Sequence, residues 1–162
     1  ERLHAKELVG QVLEIFADQA RRKEIVLSQK IDPSLPPILG DSDRLQQLLI
    51  NLVDNAVKYT PAGGQVRVSA SLAYSENHQP PMIEIAVADT GSGIPEKDLP
   101  RLTERFYRVD KARSRELGGT GLGLAIVKHI VQAHDGKLKI ESRMQKGTTI
   151  RVCLPSDNGQ RS

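Results

Sequence analysis

At 162 residues, with 38% hydrophobic and 27% charged, the chain has enough material for one domain with a real core, and its composition excludes a disordered polymer. Its net charge of +3, from 23 basic and 20 acidic residues spread along the sequence, marks no nucleic-acid or membrane surface and suits a basic pocket for an anionic small molecule equally well. The one cysteine excludes an internal disulfide, and neither a membrane-length apolar run nor a signal peptide is present. Opening on Glu1 rather than methionine suggests a piece of something longer.

Residues 7–23 repeat apolar side chains at helical spacing through Leu8, Val12, Ile15, Phe16 and Ala20. "IVLSQKI" then predicts a strand, and "DPSLPPILGD" reads as turn-rich connection. Asp41 is the expected cap of a second helix over Ser42 to Tyr59, stopped by Thr60-Pro61. Two alternating segments, "QVRVSASLAY" and "MIEIAVADT", predict an antiparallel hairpin with a long loop. Between Gly91 and Gly119 only a short helix near residues 99–109 is expected, inside a loop long enough to be functional. A third helix is predicted from Leu122 to Ala133, ended by Gly136. Strands "KLKIES" and "TTIRVCLP" follow, then a disordered tail over residues 156–162. Three main helices and about five strands imply an α+β domain, a two-layer sandwich with helices on one face of a mixed, mainly antiparallel sheet.

Four stretches carry candidate chemistry. In "NLVDNAVKYT", at 100° per residue, Asn51, Asn55 and Lys58 fall within an arc of about 60° beside the apolar stripe. An amide oxygen there suits Mg²⁺ and a lysine suits phosphate, although on this segment alone a polar helix face is the simpler account. In "DTGSGIP", Asp89 ends an alternating strand, where its carboxylate could accept from an exocyclic amine or merely close a turn. "GGTGLGLAIVKHI" leads glycines into a helix whose free N–H groups favour an anion, with a plain hinge as the alternative. It is neither a Walker loop, because Leu124 stands where lysine would, nor G-x-G-x-x-G. "ERFYRVDKARSR" is basic, and is either a solvated face or a source of phosphate-binding cations. Cys153 is expected as a small buried strand residue. His4, His78, His129 and His134 lack metal spacing and are expected as surface or packing residues.

The order of these stretches, ending in "KGTTI", resembles the ATP-binding catalytic domain of bacterial two-component sensor histidine kinases of the PhoR/EnvZ-like type, over about residues 8–155. That resemblance implies the Bergerat ATP fold, with ATP and Mg²⁺ as cofactors. Asn55 then matches the Mg²⁺ ligand, and Asn51 the polar residue near the phosphates, where related ATPases place a water-activating glutamate. Lys58 matches a phosphate contact and Tyr59 a ring against adenine. Asp89 matches the acceptor of the adenine amine, with Thr148 nearby, and Gly91, Gly93 and Ile94 line the base. Gly119, Thr120, Gly121, Leu122, Gly123 and Leu124 match the phosphate-side turn. Residues 95–118 match the ATP lid, where Arg108, then Arg105, is the expected phosphate cation.

Two positions depart from the family pattern: Thr103 replaces the usual lid phenylalanine, and Gln145 stands where another glycine is frequent. No histidine here has the surroundings of a phosphoacceptor. The resemblance therefore implies phosphoryl transfer to a histidine on a separate dimerisation domain, and onward to a cognate response regulator. It also implies a monomeric domain, without nucleic acid, from a cytoplasmic or membrane-anchored homodimeric parent. The rivals are an ATPase head of the gyrase, MutL or chaperone kind, and a non-catalytic ATP sensor.

Overall fold

The computed structural model describes residues 1–74, 81–94, 98 and 123–157. In chain order its elements are β1 (Arg2–Leu3), α1 (Ala5–Arg22), β2 (Val26–Ile31), β3 (Ile38–Leu39), α2 (Ser42–Tyr59), β4 (Gln65–Ala73), β5 (Met82–Asp89), α3 (Gly123–Ala133), β6 (Lys137–Arg143) and β7 (Gly147–Pro155). Five strands form one sheet in the order β2-β4-β5-β7-β6. Only β2 and β4 run parallel, because α2 lies between them in the chain and carries it back to the starting end. The remaining pairs are antiparallel. The expected α+β two-layer sandwich, three main helices on a mixed five-stranded sheet, is what these elements build.

Helix α1 buries Ala5, Leu8, Val9, Val12, Phe16 and Ala20 along one stripe, and α2 buries Leu45, Leu48, Leu49, Leu52, Val53, Ala56 and Val57. Both stripes meet Val66, Val68, Ile83, Ile85, Val87, Ile150, Val152 and Leu154, the inward half of the strand alternation. Asp41 caps α2 as expected, its side chain accepting from the Arg44 N–H at 3.2 Å. At the other end Thr60 is extended and Pro61 follows, which takes the chain out of the helix without a left-handed cap.

Several expectations need correction. The turn-rich "DPSLPPILGD" hides β3, which pairs antiparallel with β1 in a two-stranded ribbon. Ile38 also bridges Ser156, and the Asp157 N–H donates to the Pro37 carbonyl at 2.7 Å, so the predicted tail is fastened at its first two residues. Residues 158–162 lie outside the described part. Cys153 does not enter the core. It alternates with buried Val152 and Leu154 and sits half-buried on the open sheet face, 3.8 Å from a Glu84 carboxylate oxygen. Helix α3 runs to Ala133 as expected, but the left-handed residue that follows it is Asp135 (φ 55°) and not Gly136. Gly136 serves close approach instead, since a Cβ there would lie 2.4 Å from the Cys153 carbonyl oxygen.

Candidate functional site

Across the strands the inward rows are apolar until the last. There β5, β7 and β6 place Asp89 opposite Thr148 and Thr148 opposite Ser142, one polar row at the end of the core face. Row by row inward, Val87 pairs with Ile150 and Ile150 with Ile140. The core thus opens into a polar site where the sheet runs out.

Asp89 is anchored through a single oxygen. Its Oδ1 accepts from the Gly91 N–H at 2.9 Å and from the Thr148 N–H at 3.3 Å. Oδ2 takes no bond among the described residues. Burial pushes the Asp89 carboxyl above its ordinary range, and the two backbone N–H bonds only partly offset this. Thr148 is buried, and its hydroxyl bonds to Ser142 Oγ at 2.8 Å. Ser142 Oγ in turn accepts from the Ile94 N–H at 2.8 Å, and the Gln145 N–H donates to the Ser92 carbonyl at 2.7 Å. The turn between β6 and β7 therefore clamps the loop that follows Asp89.

Glycines in this loop answer to backbone proximity. A Cβ on Gly91 would sit 2.7 Å from the Tyr59 carbonyl oxygen. Gly93, at φ 82°, would place one 2.2 Å from the Arg143 carbonyl oxygen. Gly147, the glycine of "KGTTI", is at φ 117° and would drive a Cβ to 2.0 Å from the Asp89 carbonyl oxygen.

Helix α2 supplies the opposite wall. Asn51, Asn55, Lys58 and Tyr59 are all half-buried, on the border of the stripe as the wheel predicts. The Asn51 side-chain nitrogen is buried without a hydrogen-bond partner among the described residues, the state a bound polar ligand would relieve. Asn55 faces the start of α3, since a Cβ on Gly123 would come within 3.9 Å of its amide nitrogen. Lys58 pairs with Asp54 one turn back at 2.9 Å. Leu124 packs against the edge of the core. Arg105, Arg108, Gly119, Thr120, Gly121 and Leu122, with the short helix near residues 99–109, lie outside the described residues. No cluster of three or more His, Cys, Asp or Glu fit to hold a metal occurs among the described residues.

Ser142 was missed from sequence although its parity with Leu138 and Ile140 would have turned it inward. His134 is a packing residue, as expected: its Nδ1 bonds to the Ile130 carbonyl at 2.8 Å and its Nε2 accepts from the Asp41 N–H at 3.1 Å. It ties the end of α3 to the start of α2, away from the polar row.

Residues 40–158 match the family model described as histidine kinase-, DNA gyrase B-, and HSP90-like ATPase. The chain belongs to this ATPase family. Within it, the chain is 50% identical over 115 residues to the sensor histidine kinase WalK of Bacillus subtilis, an overlap of 71% of this chain and 18% of WalK. It is 37% identical over 148 residues to the adaptive-response sensory kinase SasA of Synechococcus elongatus, covering 91% of this chain and 36% of SasA. The chain thus spans little more than a third of the relatives' length at most. Among solved structures, the mycobacterial sensor histidine kinase MprB superposes with TM-score 0.79 at 32% identity, over 96% of this chain and 98% of that one. Nucleotide use comes with membership of this ATPase family.

Proposed function

We propose that this chain binds ATP with Mg²⁺ and delivers the γ-phosphoryl group to a histidine on the dimerisation domain of a parent sensor kinase, from which a response regulator takes it. The observation that carries this reading is Asp89: a half-buried carboxylate locked through Oδ1, with Oδ2 left to accept from the exocyclic amine of adenine. Similarity to WalK, SasA and MprB supports the sensor-kinase branch.

The residues fit the cofactors. Asn51 offers a buried amide in need of a partner, and Asn55 offers a neutral oxygen ligand beside the start of α3. Mg²⁺, when bound, would neutralise phosphate charge and orient the terminal phosphate. Asn51 cannot accept a proton as a carboxylate would, so it does not activate water, and this favours transfer over hydrolysis. Lys58 would exchange Asp54 for a phosphate oxygen, a small cost for a partly exposed pair. Arg105 and Arg108 complete the proposal as lid cations, on sequence alone. Since no nucleophile of this chain is needed, catalysis rests on positioning and charge stabilisation. The site would work in the cytoplasm, and no helix among the described residues is long and apolar enough to cross a membrane.

Calorimetry with ATP and Mg²⁺ tests the reading directly. Asp89→Asn keeps an oxygen for the two N–H donors but turns the other position into a donor. ATP affinity should fall roughly 10- to 150-fold, as when a charged acceptor worth about 1.5–3 kcal/mol is lost. Unchanged affinity would remove Asp89 from the adenine site. Labelled ATP mixed with this chain and a matching dimerisation domain should yield acid-labile phosphohistidine; steady phosphate release without it would favour the ATPase alternative.

A further inference from the structure

Helix α2 ends in an unusual way, and the group that closes it comes from a different helix. Because Thr60 is extended and Pro61 follows, the last carbonyls of α2 have no continuing N–H donors. The Thr60 hydroxyl takes the Ala56 carbonyl at 2.6 Å. The next two carbonyls, of Val57 and Lys58, are both taken by the Lys23 ammonium, at 2.7 and 2.6 Å. Its neighbours Arg21 and Arg22 are exposed, whereas Lys23 is half-buried and turned across to α2. Backbone bonds fix the approach on either side: the Gly63 N–H donates to Glu24 at 2.8 Å, and the Val26 N–H to Gly64 at 3.1 Å.

What Lys23 grips is the turn that carries Lys58 and Tyr59. The Tyr59 carbonyl oxygen, next along, is the atom against which Gly91 must remain without a side chain. Gly91 in turn donates its N–H to Asp89 Oδ1. A continuous set of contacts therefore runs from Lys23 through the end of α2 to the carboxylate.

We infer that Lys23 is a positioning residue for the nucleotide site, its ammonium setting the last turn of α2 and thereby the place of Tyr59, Lys58 and the Asp89 loop. A cation at a helix C-terminus also opposes the partial negative charge of the exposed carbonyls. This inference rests on the nucleotide-binding reading above.

The test compares wild type, Lys23→Met, Lys23→Arg and Val12→Ala by ATP·Mg²⁺ calorimetry at a temperature where thermal scans show each fully folded. Val12 lies on the buried stripe of α1, about 16 Å along the helix from Lys23, so Val12→Ala supplies a loss of stability with no reach to α2's end. Lys23→Met should weaken ATP binding about 10-fold, the scale seen when a supporting contact behind a ligand-binding group is lost. Lys23→Arg, which restores a cationic donor, should recover most of that, and Val12→Ala should bind like wild type. Should Lys23→Met fail to fold, Lys23→Gln, which retains a neutral donor, carries the same comparison. Wild-type affinity in the folded neutral variant, or a loss no greater than in Val12→Ala, overturns the inference. Failure of the wild-type chain to bind ATP would instead sink the nucleotide-binding reading itself.

Discussion

Asp89 holds its charge at the dry end of the sheet, and that leaves a mark on stability separate from binding. Its folded pKa is raised by burial, so the folded state holds the proton to higher pH than the unfolded chain, which releases it near about 3.9. The favourable contribution is therefore complete below the unfolded value and is lost as pH rises through the folded one. At neutral pH the ionised carboxylate burdens the ligand-free fold. Asp89→Asn, without nucleotide, should unfold at a temperature equal to or above wild type at pH 7, with the advantage closing as pH falls towards about 4. Scanning calorimetry across that range checks it; an advantage that grew on acidification would contradict the assigned burial. Asp89 was legible in sequence because a charge stands where the alternation predicts an apolar residue. Ser142 obeys the same parity, but a serine breaks the pattern too weakly to announce itself.

At the scale of elements, the helices were readable because each buries one stripe at a period of 3.6, and Asp41 and Pro61 mark the limits of α2. The β1–β3 ribbon was not, since two residues per strand carry no periodicity and their pairing is decided by contacts distant in sequence. The β6–β7 turn holds a clearer lesson. Gln145 occupies the left-handed region at φ 68°, a conformation that glycine adopts at no steric cost. A side chain in that region costs about 1–2 kcal/mol, against roughly 0.5–1 kcal/mol for the greater freedom of glycine in the unfolded chain. Gln145→Gly should therefore stabilise the domain by about 0.5–1 kcal/mol, raising Tm by roughly 1–4 °C. Its N–H bond to the Ser92 carbonyl should survive, so ATP affinity should stay within about twofold of wild type. A fall in Tm would show that the Gln145 side chain contributes something its backbone does not.

For the molecule as a whole, the elements share one polarity. Helix α2 begins beside the β1–β3 ribbon and ends beside Asp89, while α3 begins at Asn55 and returns to Asp41 through His134. The polar row around Asp89 and the two ends of the described chain, Glu1 and Asp157, thus occupy opposite ends of the sheet. Strand β5 measures the distance: Met82 pairs with Pro155 at one end and Asp89 with Thr148 at the other, about 23 Å apart at strand rise. At the far end Ser156 Oγ donates to the Pro81 carbonyl at 2.7 Å, the Asp157 N–H to the Pro37 carbonyl at 2.7 Å, and the Asp157 carboxylate pairs with Arg2 at 2.5 Å. Two hydrogen bonds near 1 kcal/mol each and an ion pair with one exposed partner come to about 2–3 kcal/mol. Ending the chain at Pro155 should accordingly lower Tm by roughly 5–10 °C. ATP affinity, measured where the shortened chain is still folded, should remain within about twofold of wild type, because Ser156 and Asp157 bond to Pro81, Pro37 and Arg2 at the end of the sheet opposite the polar row. A large loss of affinity in that folded, shortened chain would mean that the two ends of the sheet are energetically coupled, and the separation of clamp from site would have to be abandoned.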